Sequence, residues 1–188
     1  MVNQSKHTVA IFGGSFDPPH IGHQHIVETI VKHLDIDKLL VVPAYLNPFK
    51  SFSFASAPQR LSWCRTLFSN QHKVIVSDYE INEGKSTTTK QTVEHFNTLY
   101  DVKYLVIGSD NLLALTKWHN FSWLNETIIW VIITREGYPL NVKNLRKWQI
   151  LEVNAHISST QIRNKKDLQY VDTKIQKSVQ TILKGSNP

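Results

Sequence analysis

The sequence predicts a doubly wound, mostly parallel α/β sheet, and three observations carry that prediction. Five short β-branched runs recur along the chain: TVAIF (8–12), LLVVP (39–43), KVIVS (73–77), KYLVIG (103–108) and IIWVII (128–133). Each is nearly continuous in apolar residues rather than alternating, as expected of strands buried on both faces. Helical patterns separate the runs, which is the order of a sheet covered by helices on both sides.

Taken in order, the first strand runs into GGSFDPPHIGH (13–23) and then an amphipathic helix over 23–34. Helices are expected over 58–69, 89–100 and 110–117, each leading towards the next apolar run. QILEVN (149–154) reads as a sixth strand, followed by helices over 159–164 and 172–183 that form a small C-terminal helical portion. The glycine of the tail KGSNP (184–188) suits a helix stop. SFSFASAP (51–58) and NEGKSTTTK (82–90) are the segments expected to be mobile loops. Neither an internal repeat nor a low-complexity segment interrupts the pattern, so residues 1–188 are expected to form one domain.

Composition narrows the class. With 41% hydrophobic and 19% charged residues the chain of 188 can bury a core, and a formal charge of +6 favours an anionic partner. One cysteine, Cys64, excludes an internal disulfide framework and argues against a cysteine-based zinc site. The first residues do not read as a signal peptide, and no stretch has the roughly 18 apolar residues that span a bilayer. A cytoplasmic protein is the expectation, with no membrane partner and with a homo-oligomer left open.

The stretch after the first strand is the first candidate site. In open α/β sheets ligands sit outside the carboxyl ends of the strands, and this loop lies at such an end. Gly13 and Gly14 let backbone approach a phosphate, while Pro18 and Pro19 fix the loop and hold Asp17 out of helical geometry. Gly22 leads into the helix, whose free N–H groups favour an anion. His20 and His23, three apart, share a face of its first turn, and a phosphate there would favour their charged forms. The segment is neither a Walker A loop nor a dinucleotide fingerprint.

ISSTQIRNK (157–165) is the second. Ser158 and Gln161 have capping-box spacing, Ser159 and Thr160 offer hydroxyls at the same end, and Arg163 one turn on carries a planar fork for phosphate oxygens. An ordinary capped surface helix with an exposed arginine is as compatible with the spacing alone.

The two segments together identify a resemblance. His20-Ile21-Gly22-His23 resembles the His-x-Gly-His hallmark of a nucleotidyltransferase superfamily with a Rossmann-like fold. Class I aminoacyl-tRNA synthetases share the hallmark, but this chain is short for one. With ISSTQIR downstream, VPAYLNPFKS (42–51), IGSDNLLALTKWHNF (107–121) and TREGYPL (134–140), the order of landmarks resembles bacterial nicotinate-nucleotide adenylyltransferases.

The resemblance implies transfer of AMP from ATP to nicotinic acid mononucleotide, giving deamido-NAD and pyrophosphate. It implies His20, His23 and Arg163 as catalytic residues. Gly13, Gly14, Ser15, Phe16, Gly22, Gly108, Asp110, Ser158, Ser159 and Thr160 would bind ATP. Asp17, Lys50, Thr88, Trp118 and Arg135 would face the acceptor, with Trp118 stacking on the pyridine ring or, equally, belonging to the core. Phe16 suits packing better than chemistry, and Asp110 also suits a helix N-cap. Magnesium is expected with ATP, held by phosphates and water rather than by a protein metal site.

Two departures stand out: Thr88 occupies the position where the family usually has a tyrosine, and Phe49 precedes Lys50 where a histidine is common. Side-chain motifs therefore leave nicotinate and nicotinamide acceptors undistinguished. A sister enzyme acting on phosphopantetheine or making a CMP adduct, a non-catalytic nucleotide sensor, and a basic nucleic-acid-binding module are the competing readings. The scattered lysines and arginines and the lack of a nucleic-acid motif weigh against the last.

Overall fold

The structure, a computed structural model, describes residues 6–153 and 157–185. Six strands form one sheet: β1 (Thr8–Gly14), β2 (Lys38–Pro43), β3 (Val74–Val76), β4 (Asp101–Gly108), β5 (Ile129–Ile133) and β6 (Trp148–Leu151). Their order is β3-β2-β1-β4-β5-β6 and every neighbouring pair is parallel. The order reverses between β1 and β4, and the loops at the carboxyl ends of these two strands carry the first candidate site and Gly108.

The continuous apolar runs are explained by two cores, one on each side of the sheet. Ala10 and Phe12 of β1, Leu39 and Val41 of β2, Val106 of β4 and Val131 and Ile133 of β5 face one side. Val9 and Ile11, Leu40 and Val42, Leu105 and Ile107, and Trp130 and Ile132 face the other. Successive side chains thus alternate between two buried faces, and the middles of the central strands are left to apolar residues.

On the first face lie α1 (Ile21–His33), α2 (Ala57–Phe68), α6 (Ser159–Lys165) and α7 (Thr173–Gly185), through residues such as Ile26, Trp63, Ile162 and Val179. On the second lie α4 (Thr89–Leu99) and α5 (Phe121–Thr127), through Val93, Phe96 and Leu124, with the short α3 (Tyr79–Asn82) beside them. The C-terminal helices are therefore part of the layer over the glycine loop. Ser178 of α7 accepts a hydrogen bond from Trp63 Nε1 of α2 at 3.0 Å, and Asp172 accepts one from Gln24 of α1 at 3.0 Å.

The helix expected over 110–117 is absent. Two 3-10 turns, Ser109–Asn111 and Leu115–Lys117, take its place, and the α-helix comes later, as α5. Ser109, Leu112 and Leu115 are buried, and the half-buried Trp118 continues their spacing of three residues. A period of 3.0 suits a 3-10 path along the sheet and would drift off one face of an α-helix. The sixth strand is shorter than expected, and Asn154 of the predicted run lies outside the described residues, as do 186–188 of the tail.

Candidate active site

The loop after β1 is shaped by packing as much as by its glycines. Phe16 adopts a left-handed backbone (φ 49°) and is buried, its ring edge-on to Phe12 at 5.4 Å and 4.9 Å from the His23 ring. A Cβ on Gly14 would stand 3.1 Å from the Phe16 ring, so a larger residue there would press that ring aside from its place under the strand end. Gly13 is exposed, and its hypothetical Cβ would be 3.9 Å from the nearest atom, leaving its backbone face open. The Asp17–Pro18 peptide is cis.

His20 is the N-cap of α1 and His23 lies in its first turn, both buried, with ring centroids 3.9 Å apart. The His20 backbone N–H donates to His23 Nδ1 at 3.2 Å. Neutral His23 therefore carries its proton on Nε2, as a donor. His20 Nδ1 is buried and has no hydrogen-bond partner among the described residues. Burial, and then the positive charge of Arg135, push the His20 pKa down to about 3. Burial also holds His23 well below its ordinary value, reinforced by His20 and Arg135. Without a bound anion the pair is thus neutral, and charged forms require the phosphate that the sequence leads one to expect there.

Arg135 follows β5, and its backbone N–H donates to the buried Ser109 Oγ at 2.9 Å. Its guanidinium pairs with Asp110 at 3.4 Å. Gly108 makes room for this pair: a Cβ there would run into the Asp110 carboxylate and come within 2.9 Å of Arg135 Nε. His20, Gly22 and Arg135 line one small cleft.

Folding brings the second candidate segment onto the first. Ser158 caps α6 in a capping box with Gln161, whose N–H reaches Ser158 Oγ at 3.2 Å. Ser159 Oγ donates to the Pro18 carbonyl at 2.8 Å. Arg163 donates through Nη1 to the Asp17 carbonyl and through Nη2 to Thr160 Oγ1 at 3.1 Å. Lys50 lies in the exposed loop after β2, where burial of its ammonium and the charge of Arg163 lower its pKa. Lys50 and Arg163 thus stand close enough to feel one another's charge.

Asp17, assigned to the acceptor by resemblance, also has a role within the fold. It is buried, and its two carboxylate oxygens accept the backbone N–H groups of Phe54 (2.7 Å) and Ala55 (2.9 Å). Ser15 offers its carbonyl inwards, to Arg60. Thr88 is the N-cap of α4, accepting the Gln91 N–H at 3.3 Å. Trp118 packs edge-on to Trp130 at 6.3 Å and also borders a cleft of about 190 Å³. That cleft runs from Gly13 and Gly14 past Asn47 and Phe49 to Thr88, Thr89, Trp118 and His119, so Trp118 belongs both to the core and to the cleft.

Sequence reasoning did not single out four residues that shape the site. Glu80 borders the same cleft; burial raises its pKa, and the Thr92 hydroxyl donates to it at 2.6 Å. His119 and Ser109 sit beside predicted residues without a signal of their own. Arg60 did have one: in α2 it lies on the stripe with Trp63, Cys64 and Leu67, at spacings of three, four and seven, where an arginine is out of place unless it has partners. Among the described residues no group of three or more His, Cys, Asp or Glu could hold a metal ion. None of the described helices is long and apolar enough to cross a membrane.

Comparison with known proteins agrees with this arrangement. The cytidylyltransferase-like family matches residues 11–165. The probable nicotinate-nucleotide adenylyltransferase of Sulfurovum sp. (strain NBC37-1) is 61% identical over 98% of both chains. That of Sulfurimonas denitrificans is 40% identical over 92% of both. Among solved structures, a Plasmodium falciparum nicotinic acid mononucleotide adenylyltransferase complexed with NaAD aligns with a TM-score of 0.75 at 20% identity, covering 96% of each chain, a likeness of fold. A His-x-Gly-His pair at the start of α1, a serine-capped α6 carrying Arg163, and near-full-length identity together establish that the chain belongs to the cytidylyltransferase-like family, in its nicotinate-nucleotide adenylyltransferase branch.

Proposed function

We propose that the protein transfers the adenylyl group of MgATP to nicotinic acid mononucleotide, in NAD biosynthesis and in the cytoplasm. An ionised phosphate oxygen of the acceptor bonds to the α-phosphorus of ATP, the bond from that phosphorus to the bridging oxygen breaks, and pyrophosphate leaves with both electrons. The acceptor phosphate needs no deprotonation, so the protein's task is to align two anions and stabilise charge.

The observation that carries the reading is the convergence of Arg163 and Ser159 on the loop that ends at the His20–His23 pair. His20 and His23 supply directional N–H donors near the α-phosphate, while Arg163, with the hydroxyls of Ser158 and Thr160 at the helix start that Ser159 ties to the loop, meets the outer phosphates. Gly13, Gly14 and Gly22 keep backbone accessible to the nucleotide, and Asp110 suits the ribose hydroxyls. Magnesium enters as part of the nucleotide substrate, held by phosphate oxygens and water.

The acceptor suits the larger cleft. Trp118 offers a flat face to a pyridine ring. Thr88 and Thr89 bring the start of α4 to the same cleft, and the first N–H groups of a helix favour a carboxylate over a neutral amide. This favours nicotinate despite the missing tyrosine at position 88.

The test is pyrophosphate release at matched MgATP with nicotinic acid mononucleotide, nicotinamide mononucleotide and phosphopantetheine. Release is expected to be fastest with the first. Faster turnover of phosphopantetheine refutes the acceptor assignment, and equal rates with both mononucleotides refute the role given to the start of α4.

A further inference from the structure

The buried Arg60 has no part in the chemistry described above, and its surroundings are unusual. It is fully buried, yet its guanidinium faces backbone carbonyls from three separate segments. Nη1 donates to Ser15 O and Ala44 O, both at 2.7 Å, Nη2 to Tyr45 O at 2.6 Å, and Nε to Ala55 O at 3.2 Å. Ser15 lies in the loop after β1, and Ala44 and Tyr45 in the loop after β2. Ala55 precedes α2, the helix that carries Arg60. Only a planar fork with several fixed donors can satisfy four carbonyls from one side chain; an ammonium has three donors on a single atom.

Asp17 completes the arrangement in reverse. Its carboxylate accepts N–H groups from Phe54 and Ala55, so the loop after β1 grips the segment before α2 while Arg60 of α2 grips that loop. The positive guanidinium and the negative carboxylate lie close enough for the Asp17 charge to favour charged Arg60 against the cost of burial. Arg163 and Ser159 then attach α6 to two further carbonyls of the same loop, those of Asp17 and Pro18.

We infer that Arg60, acting with Asp17, is a positioning residue that locks the loops after β1 and β2 into one block, fixing the distance between the glycine loop facing the nucleotide and the Asn47–Lys50 segment beside the acceptor cleft. The inference rests on the substrate placement proposed above. Both substrates must be held in line to within a fraction of an ångström, and the two loops that would hold them come from different strands with no regular ladder beyond Pro43. Strand pairing alone ends where this control is needed, and Arg60 takes over there.

Arg60→Lys is the main test, because it keeps the charge and most of the volume and loses the fork. Amide hydrogen exchange is read on the unliganded full chain, alongside steady-state kinetics with MgATP and nicotinic acid mononucleotide at a temperature where the variant is folded. The expected result is faster exchange in peptides covering 13–17 and 44–47 together, and a kcat roughly 10- to 100-fold lower. Faster exchange confined to α2, faster exchange in one loop only, or an unchanged kcat overturns the inference. If Arg60→Lys does not fold, nitrogen-15 spectra of the unmodified protein decide: an Arg60 guanidinium held by four carbonyls shows resolved Nη signals, and rapid rotation about its C–N bonds overturns the inference. The exchange measurement needs no substrate. Failure of the parent to use nicotinic acid mononucleotide therefore counts against the acceptor reading, and an unchanged loop exchange counts against Arg60.

Discussion

Replacing His20 with glutamine tests the claim that this ring is held neutral by its surroundings. In the folded protein burial and Arg135 bring its pKa to about 3, against 6.5 in an unfolded chain. The unfolded state therefore binds the extra proton between these values, so stability falls as the pH is lowered through that window and is fully present above pH 6.5. For this one group the loss relative to neutral pH is about 2 kcal/mol at pH 5 and about 3 kcal/mol at pH 4. The assay is urea unfolding of parent and His20→Gln at pH 7.5, 6 and 5, taking the difference in unfolding free energy at each pH. His23 and the surface histidines are present in both proteins and largely cancel in that difference. The stability of the parent relative to the variant should shrink by about 2 kcal/mol between pH 7.5 and pH 5. A difference that stays constant across that range would show that His20 titrates normally in the fold, and the neutral pair would have to be abandoned.

Substitutions at three other positions probe separate parts of the site. Asp17→Ala leaves the Phe54 and Ala55 N–H groups without their acceptor and should lower the unfolding free energy by about 2–4 kcal/mol, whereas Asp17→Asn, keeping one acceptor oxygen, should lose less. Gly108→Ala forces a methyl group into the Asp110–Arg135 pair, whose flexible ends can swing aside, and should raise the KM for MgATP with little change in unfolding free energy; a parental KM would refute the need for glycine there. Arg163→Ala removes a charge-assisted phosphate contact and should raise the KM for MgATP by about 10- to 100-fold. A variant with parental kinetics would move the second phosphate site elsewhere.

The layers of the fold were legible because the strands are buried on both faces: Val9 to Phe12 or Trp130 to Ile133 leave no polar position, and that can be read without coordinates. The His20–His23 pair and Arg163 were legible because their residue types and spacing are local. Asp17 shows where this kind of reading stops. A carboxylate in a phosphate loop suggests a ligand, but its partners are two main-chain N–H groups 37 and 38 residues away, and main-chain groups carry no sequence signature. Arg60 is the complementary case, a charged residue on an apolar stripe whose position announces a partner without naming it. The 109–118 segment was misread for another reason: a three-residue burial period resembles a helical one over so short a span.

The neutral histidine pair also bears on how the reaction's charge is handled. Two imidazolium rings 3.9 Å apart would repel each other by about 4 kcal/mol at an effective dielectric constant of 20, and Arg135 adds a third positive charge. The site therefore favours at most one protonated histidine even when phosphates arrive. On the proposed placement of the nucleotide, long-range attraction for its phosphates comes instead from the guanidinium groups of Arg135 and Arg163. Neutral N–H donors attract a ground-state phosphate less than imidazoliums would, and gain more as charge builds on the oxygens of the transition state and the leaving pyrophosphate. If the substrates sit as proposed, binding and rate enhancement divide between two sets of residues: the cations govern how tightly the nucleotide is held, and the buried pair acts on the chemical step. On this division Arg163→Ala should act mainly through KM, and substitution of His23 mainly through kcat.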